Sequence, residues 1–272
     1  MPKILVTNDD GIDSEGIKAL ADSLSTLGEI IVVAPSTDMT AVSHSLTLHS
    51  PLRIEKRDED RYAVTGTPTD CVVLAINILM NNTLPDLVVS GINRGANLGD
   101  DIHYSGTVAG AMEGAFYGIA SIAVSLAGRE RYDFQYAAQV AKEIASKVLN
   151  SGLPRGTLLN VNVPRGPIKG IAITRQATRT AGTEILVGHD PRNRPYYWVG
   201  YGKIAWEQNA GTDFAAIKQG LVSITPIKND MTNYAHLGEL EKWDAHWLKV
   251  YKQDKVDDLS KLDSTENPEH LY

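Results

Sequence analysis

The stretch ILVTNDDG, Ile4 to Gly11, decides the fold. Its first three residues form a short aliphatic run bounded by a turn glycine, which is typical of a parallel strand buried on both faces. An asparagine and two adjacent aspartates then leave the carboxyl end of this strand. Neighbouring carboxylates repel each other, and the repulsion grows in a partly buried crevice. The stretch therefore predicts a central strand followed by a site that holds a positive group, such as a bound cation.

Helical and strand patterns alternate after this strand. Apolar spacing predicts a helix from Ser14 to Leu27, capped by Asp13 or Ser14, and EIIVVAP predicts a second buried strand. Such a β-α-β order favours a right-handed parallel crossover. Later segments repeat the alternation, with edge or antiparallel strands at LTLHSPLRIEKR and YAVTG, buried strands at DLVVSG, IASIAVSL and TLLNVNVP, and helices over 68–80, 106–118 and 134–149. The prediction is an α/β fold, Rossmann-like and doubly wound, with a mostly parallel sheet and a C-terminal β-hairpin or arm region.

The chain is expected to divide into three parts. These are a Rossmann-like core over 1–165, a β-hairpin arm with a returning strand over 166–235, and a C-terminal helix with a charged tail over 236–272. Residues 171–206 mix basic, glycine and aromatic positions, which favours a long hairpin, and GLVSITPI predicts the returning strand. Beyond Trp247 the lack of apolar periodicity indicates a mobile terminus. The arm is too apolar for a free loop, so it is expected to pack on a second subunit through Tyr196, Tyr197, Trp198 and Tyr201.

Composition argues against several classes of protein. With 272 residues, 43% of them hydrophobic, the chain can bury a sizeable core. A net charge of -7 without a Lys/Arg run gives no footprint for duplex nucleic acid. No membrane-spanning run and no secretion signal are visible in the sequence, so a cytoplasmic protein without a membrane partner is expected. The single cysteine, Cys71, lies in the apolar run CVVLAINILM and is expected to be buried and inert rather than nucleophilic.

Two oxygen-rich loops follow strands of the predicted sheet. TNDDG follows the first strand, and SGINRGANLGDDIHYSGT follows DLVVS. Ligands of open α/β sheets bind outside the carboxyl ends of the strands, so the two loops are expected to meet. Asp9, Asp10 and the amide oxygen of Asn93 or Asn97 are hard ligands, which favours Mg²⁺, Mn²⁺ or a relative. Alternatively the acids only complement the dipole of the next helix, but that helix already has a capping residue.

The second loop ends at Ser105, Gly106 and Thr107, at the start of a predicted helix. Backbone N–H groups and hydroxyls at a helix N-terminus form an anion site suited to phosphate. Ordinary capping by Ser105 is the alternative. A metal and a helix N-terminus in one crevice describe a phosphoryl-group site, where the ion polarises a phosphate oxygen and activates water.

Several segments carry a family resemblance. ILVTNDDGI, VVAPSTDMTAVSHSLTLHSPL, GTPTDCVVLA, LVVSGINRGANLGDDIHYSGTVAGAMEG and LNVNVP resemble, in order and spacing, the signature segments of the survival protein SurE family, and the similarity runs to VSITPI. The resemblance implies a metal-dependent phosphatase that hydrolyses nucleoside monophosphates to nucleoside and phosphate. It would be a 5′-nucleotidase, with 3′-nucleotidase and exopolyphosphatase activity in some members. A homodimer or homotetramer with exchanged C-terminal segments is also implied.

The same resemblance implies a set of site residues. One divalent ion per subunit, Mg²⁺ or Mn²⁺, would be held by Asp9, Asp10 and Asn93, which also form the catalytic set, and by a hydroxyl after VVAP. Counting back from HSLTLH puts this hydroxyl on Thr40, where the family most often has serine, and the other hydroxyls of the loop are Ser36, Thr37 and Ser43. A threonine keeps the oxygen and restricts χ1. The phosphate would be bound by Asn93, Ser105, Gly106 and Thr107.

Some roles stay open at the level of sequence. The segment GTPTD either shapes the site or is only a turn and helix start. Arg94 pairs with a substrate phosphate or with Asp100 or Asp101. Histidines near the loops either donate a proton to the leaving ribose oxygen or are structural, and they are His44, His49 and His103.

Three rival functions are weaker. A haloacid dehalogenase-type phosphatase uses aspartates spaced D-x-D, whereas these are adjacent. A dinucleotide-dependent oxidoreductase would need G-x-G-x-x-G after the first strand. A catalytically silent nucleotide-binding or stress-assembly module would not need the intact acidic pair, Asn93 and SGT.

Overall fold

The computed structural model describes residues 1–128, 133–179, 184–200, 209–240 and 242–243. One compact unit spans Met1–Asp230, and a second spans Met231–Tyr272. The division into 1–165, 166–235 and 236–272 stays a prediction. The expected mobile tail beyond Trp247 lies outside the described residues.

The first unit alternates strands and helices along the chain. Its strands are β1 (Lys3–Thr7), β2 (Glu29–Pro35), β3 (Ile54–Asp58), β4 (Arg61–Val64), β5 (Leu87–Arg94), β6 (Ser121–Leu126), β7 (Thr157–Val163), β8 (Gly170–Ile173), β9 (Glu184–His189), β10 (Pro195–Gly200) and β11 (Leu221–Lys228). Its helices are α1 (Glu15–Leu24), α2 (Pro68–Leu74, continued by a π-helical turn over Ala75–Leu79), α3 (Gly106–Phe116), α4 (Phe134–Ser151) and α5 (Asp213–Lys218), with a 3-10 helix over Gly99–His103. The second unit contains α6 (Tyr234–Leu240).

A nine-stranded sheet has the order β3-β4-β2-β1-β5-β6-β7-β11-β8. Neighbouring strands from β4 to β7 run parallel, whereas β3 and β11 are antiparallel to the strands beside them, β4 and β7. From β1 the chain first builds the side that holds β2 and β4, and then crosses to β5 on the other side. The strand order therefore reverses at β1 and β5, where open α/β sheets bind ligands. This confirms the predicted doubly wound α/β fold.

Strand β1 is buried on both faces, as its aliphatic run predicts. Ile4 and Val6 belong to the core that contains α1 and α4. Leu5 points to the other face and joins the core around α2. The alternation of side chains along a strand thus places helices on both sides of the sheet.

Helix α3 lies unusually close to the sheet. A Cβ atom on Gly110 would lie 2.9 Å from Thr7 Cγ2, and one on Gly114 would lie 2.5 Å from Ser121 Oγ. These glycines share one face of the helix, so the backbone approaches the strands directly. The N-terminus of α3 consequently lies at the carboxyl end of β1.

Several element boundaries differ from the sequence prediction. Helix α1 ends at Leu24 rather than Leu27, and Ser14 caps it by accepting a hydrogen bond from Ile17 N at 3.4 Å. Residues 46–53 form a loop instead of a strand. The reason is that Thr47 bonds the Asp70 carboxylate through its N–H (3.0 Å) and its hydroxyl (2.6 Å).

The predicted arm also begins later than expected. Residues Gly170–Ile173, which the sequence assigns in large part to the arm, pair parallel with β11 and become part of the main sheet. They do so because β11 returns antiparallel beside β7 and offers its second edge to a partner. The hairpin itself is formed by β9 and β10.

The β9–β10 hairpin carries exposed aromatic and aliphatic side chains. Tyr196 and Tyr197 are exposed, and Trp198 leaves 67% of its surface exposed. Tyr201, the fourth aromatic residue of the predicted contact, lies outside the described residues. In the described ranges no helix combines the length and apolarity needed to span a membrane.

Candidate functional site

A cleft of about 950 Å³ opens at the carboxyl ends of β1 and β5. Its lining includes predicted site residues, namely Asp9, Asp10, Thr40, Asn93 and Ser105, together with Arg94 and Asn97, whose roles the sequence left open. Gly106 and Thr107 follow directly in α3. The structure therefore brings the two oxygen-rich loops and the loop after β2 to one crevice.

Asp9 is the most deeply buried acid of the cleft, with 4% of its surface exposed. Burial raises its pKa to about 6 from the ordinary 3.8, and the neighbouring charge of Asp10 contributes in the same direction. The Thr107 hydroxyl donates to Asp9 Oδ1 and partly offsets this rise. The carboxylate is thus held in a desolvated place where a cation would stabilise its charged form.

Asp10 is half-buried beside Arg94. Burial raises the pKa of Asp10, while the positive charge of Arg94 acts in the opposite direction. The Arg94 N–H also donates to Asp10 Oδ2 at 3.3 Å. The sequence left open whether Arg94 pairs with a substrate phosphate or with Asp100 or Asp101. In the structure both of these aspartates contact Arg179 instead.

Asn93 and Thr40 present further oxygen atoms to the cleft. Asn93 Nδ2 donates to Gly95 O at 3.0 Å, so the oxygen is the atom that this amide can offer to an ion. The Thr40 hydroxyl donates to Asp38 Oδ1 at 2.6 Å, which leaves the lone pairs of its oxygen for an electrophile. Thr40 is exposed, and its loop is fixed by a hydrogen bond from Met39 N to Asp9 O at 2.8 Å.

The N-terminus of α3 contacts the acidic pair. A Cβ atom on Gly106 would lie 2.8 Å from Asp9 Cβ, so only glycine lets the helix start this close to the carboxylate. Ser105 caps the helix by accepting from Val108 N at 3.1 Å. This capping, which the sequence left as an alternative, is present together with the proximity to Asp9. The positive end of the helix dipole thus lies next to the acids.

A buried asparagine clamp holds the loop between β5 and α3. Asn162 Oδ1 accepts from Asn97 N at 2.8 Å, and Asn162 Nδ2 donates to Asn97 O at 2.9 Å. Asn160 Nδ2 donates to the same carbonyl at 2.9 Å, and the Asn97 side chain donates to Ser125 Oγ at 2.8 Å. Because the loop has no regular partner, these side chains satisfy backbone groups that would otherwise be buried without hydrogen bonds.

A second anchor joins this loop to the segment before the hairpin. The buried carboxylate of Asp213 accepts hydrogen bonds from Gly99 N at 2.8 Å and from Ala177 N at 2.9 Å. Arg179 N donates to Asp100 Oδ2 at 3.0 Å, and the Arg179 guanidinium lies 3.6 Å from Asp101 Oδ1. The cleft wall is therefore fixed by residues far along the chain.

The three histidines near the predicted loops are not among the described residues that line the cleft. His44 Nε2 is 2.8 Å from Glu113 Oε2, and its ring stacks on Phe116 at 5.1 Å. His49 and His103 are exposed. His44 thus joins the Thr40 loop to α3. The GTPTD segment forms the N-terminus of α2, where Thr67 and Asp70 make a reciprocal capping box.

Sequence reasoning missed the asparagine clamp and Asp213. The NVN alternation within TLLNVNV was the available signal, because two amides at a spacing of two within a buried strand need polar partners on one face. Asp213 stands in a short Thr-Asp helix start and carries no such signal.

Comparisons with known proteins identify the family. The sequence-family model described as survival protein SurE matches residues 4–183 of this chain. The 5′-nucleotidase SurE of Syntrophotalea carbinolica is 51% identical over 242 residues, which cover 88% of this chain and 96% of that protein. The protein of the same name from Legionella pneumophila is 52% identical over 244 residues, with 88% and 96% covered. A crystal structure of the SurE protein from Aquifex aeolicus has a TM-score of 0.80 at 45% identity and covers 91% of this chain and 100% of that one.

Fold and cleft define an α/β protein with an acid-lined site at the topological switch point of a parallel sheet. The chain belongs to the survival protein SurE family. The resemblance of its sequence segments is thereby confirmed.

The asparagine clamp generates a stability prediction. Asn162→Ala should lower the free energy of unfolding by about 1–3 kcal/mol, because it leaves the Asn97 N–H buried without an acceptor. Asn160→Ala is the matched control and should cost less, since the Asn97 carbonyl keeps its hydrogen bond from Asn162. Urea unfolding of both variants measures the difference. An equal or larger loss for Asn160→Ala would contradict the larger contribution of Asn162 to the clamp.

Proposed function

We propose that the protein is a metal-dependent 5′-nucleotidase that hydrolyses nucleoside monophosphates to nucleoside and phosphate with a metal-activated water. The observation that carries this proposal is the contact between Asp9 and the N-terminus of α3 at Gly106 and Thr107. A cation held by the acids and a phosphate held by the helix would be neighbours there. The names of the relatives support the substrate class.

The donor atoms at the cleft suit one hard divalent ion per subunit, Mg²⁺ or Mn²⁺. Asp9, Asp10, Asn93 and Thr40 would hold it, and all four offer oxygen. Among the described residues there is no cluster of three or more His, Cys, Asp or Glu side chains that could hold a metal. Amide, hydroxyl and water oxygens would therefore complete the coordination. When bound, the ion polarises a phosphate oxygen and lowers the pKa of a water molecule.

The proposed phosphate contacts come from Asn93 and the start of α3. The first-turn N–H groups of a helix have no acceptor within the helix, and the dipole favours an anion there. The Ser105 oxygen accepts from Val108 N, so its hydroxyl proton can be donated to a phosphate oxygen. Thr107 orients Asp9 through its hydroxyl. These groups would fix the phosphorus atom beside the acidic pair.

The proposal extends to 3′-nucleotidase and exopolyphosphatase activity. The phosphate contacts named above involve only the phosphoryl oxygens. A 3′-monophosphate and the terminal group of a short polyphosphate present the same oxygens to them.

A cytoplasmic location stays a prediction from the sequence.

Assembly into a homodimer or homotetramer with exchange of C-terminal segments is also proposed. Support comes from the exposed hairpin residues Tyr197, Trp198 and Val199, which form a continuous apolar run along β10. Monomeric proteins rarely leave such patches open to water, and a second subunit would cover them.

The metal proposal predicts the effect of removing either carboxylate. Asp9→Asn and Asp10→Asn should each lower phosphate release from AMP or GMP by about 100-fold or more, because loss of even an outer partner of a metal ligand costs 10- to 100-fold. Phosphate release with added Mn²⁺ is the measurement, and circular dichroism checks the fold. Full activity in excess chelator would refute the metal. Binding of AMP without phosphate release by the unaltered protein would instead indicate a silent binding module.

Substitution of Thr40 tests whether its hydroxyl is a ligand of the metal ion. Thr40→Ser keeps the oxygen and relaxes χ1, so the Mn²⁺ concentration for half-maximal activity should stay the same or fall. Thr40→Val keeps the shape without the oxygen and should raise that concentration by roughly 10-fold. Titration of Mn²⁺ against activity compares both variants. Equal metal dependence in Thr40→Val and the unaltered protein would remove Thr40 from the ligand set.

The hairpin predicts an oligomer in solution. Light scattering at micromolar concentration should give the mass of a dimer or tetramer, and Trp198→Glu should shift it towards a monomer because a charge would be buried at the contact. Tyr136→Glu, which replaces an exposed aromatic residue of α4, is the control and should leave the mass unchanged. A monomer for the unaltered chain would overturn the assembly proposal.

A further inference from the structure

Tyr104 is an exposed aromatic residue at the edge of the cleft. It directly precedes Ser105, and 60% of its surface is open to water although it lines the cleft. No other aromatic side chain occurs among the described residues of the cleft lining. Covering an aromatic ring with a flat apolar surface is favourable, so an open ring beside a polar site offers a contact for a flat group of a ligand.

The backbone of Tyr104 is fixed on both sides. Tyr104 N donates to Asp101 O at 3.1 Å, and Tyr104 O accepts from Ser43 N at 3.0 Å. The residue joins the 3-10 helix over Gly99–His103 to α3. The ring therefore extends from a preorganised point, which lowers the entropy lost when a ligand covers it.

The cleft has room for more than a phosphate group. Its volume of about 950 Å³ lies at the upper end of the range of roughly 300–1,000 Å³ that is typical of sites for drug-sized ligands. Ser105, the neighbour of Tyr104, belongs to the proposed phosphate contacts. Because both residues line the same cleft, a molecule whose phosphate is held at Ser105 has the Tyr104 ring within the space that its remaining groups can occupy.

We propose that the Tyr104 ring is the stacking platform for the nucleobase of the substrate. This inference rests on the proposed function and adds the part of the substrate that the phosphate contacts do not distinguish. Stacking on an aromatic ring tolerates every base, because each base has a π-face. The site would thus prefer nucleotides of any base over phosphate esters without a base, with purines bound more tightly than pyrimidines since their rings are larger.

The platform predicts a selective loss in Tyr104→Ala. Removing one stacking contact typically weakens binding by roughly 5- to 100-fold, so kcat/KM for AMP should fall by that factor. If the stacking contact is equally strong in the ground state and in the transition state, its loss raises KM and leaves kcat unchanged, which is the expected pattern for Tyr104→Ala. The ratio of kcat/KM for AMP to that for ribose 5-phosphate, which has no base, should fall by about 10-fold. Tyr104→Phe keeps the ring and should keep the ratio.

Three comparisons make the test decisive. Tyr136→Ala, which removes an exposed aromatic residue of α4, is the matched control and should leave the ratio unchanged. Equal losses for AMP and ribose 5-phosphate in Tyr104→Ala would overturn the platform and indicate support of the loop alone, and no loss for either would also overturn it. Calorimetric binding of adenosine is the readout without turnover. If the unaltered protein releases no phosphate from any ester, the proposed function fails, while equal adenosine binding by the unaltered protein and Tyr104→Ala would separately overturn the platform.

Discussion

The close approach of α3 to the sheet is the constraint on which the site depends. Gly110 and Gly114 face the strands and Gly106 faces Asp9, and a Cβ atom on any of the three would lie within 3 Å of a neighbouring atom. Larger residues at these positions would push the helix outward and separate its N-terminus from Asp9. Burial of the acid, its bond to Thr107 and the neighbouring helix dipole all follow from this contact.

The parallel core and the residues of the cleft were largely predictable, because their signals are local. An aliphatic run such as Ile4 to Val6 marks a strand whatever its partners, and the carboxyl ends of neighbouring parallel strands must meet at one edge. The predicted boundaries are wrong where contacts with residues distant in the chain determine the local structure. The loop before Ile54 binds the Asp70 carboxylate instead of extending a strand, and Gly170–Ile173 takes the free edge of β11.

The residues that hold the cleft wall in place could not be predicted from the sequence, for the same reason. Asp213 bonds Gly99 across 114 residues, and Asn162 bonds Asn97 across 65. A long irregular loop has no ladder to satisfy its N–H and C=O groups, so side chains from other elements must do so. The spacing of the two asparagines in β7 was the only sequence signal for these contacts, and it did not indicate which residues they bond.

Asp213 has a consequence for communication across the molecule. Its two oxygen atoms bond a backbone N–H of the cleft wall at Gly99 and one at Ala177, in the segment that leads to the β9–β10 hairpin. Neither segment can shift without lengthening a buried charge-assisted hydrogen bond. The backbone positions of Gly99 and Ala177 are therefore coupled through Asp213, and the coupling is reciprocal. A contact that orders the backbone at one of these two residues lowers the free-energy cost of ordering the backbone at the other.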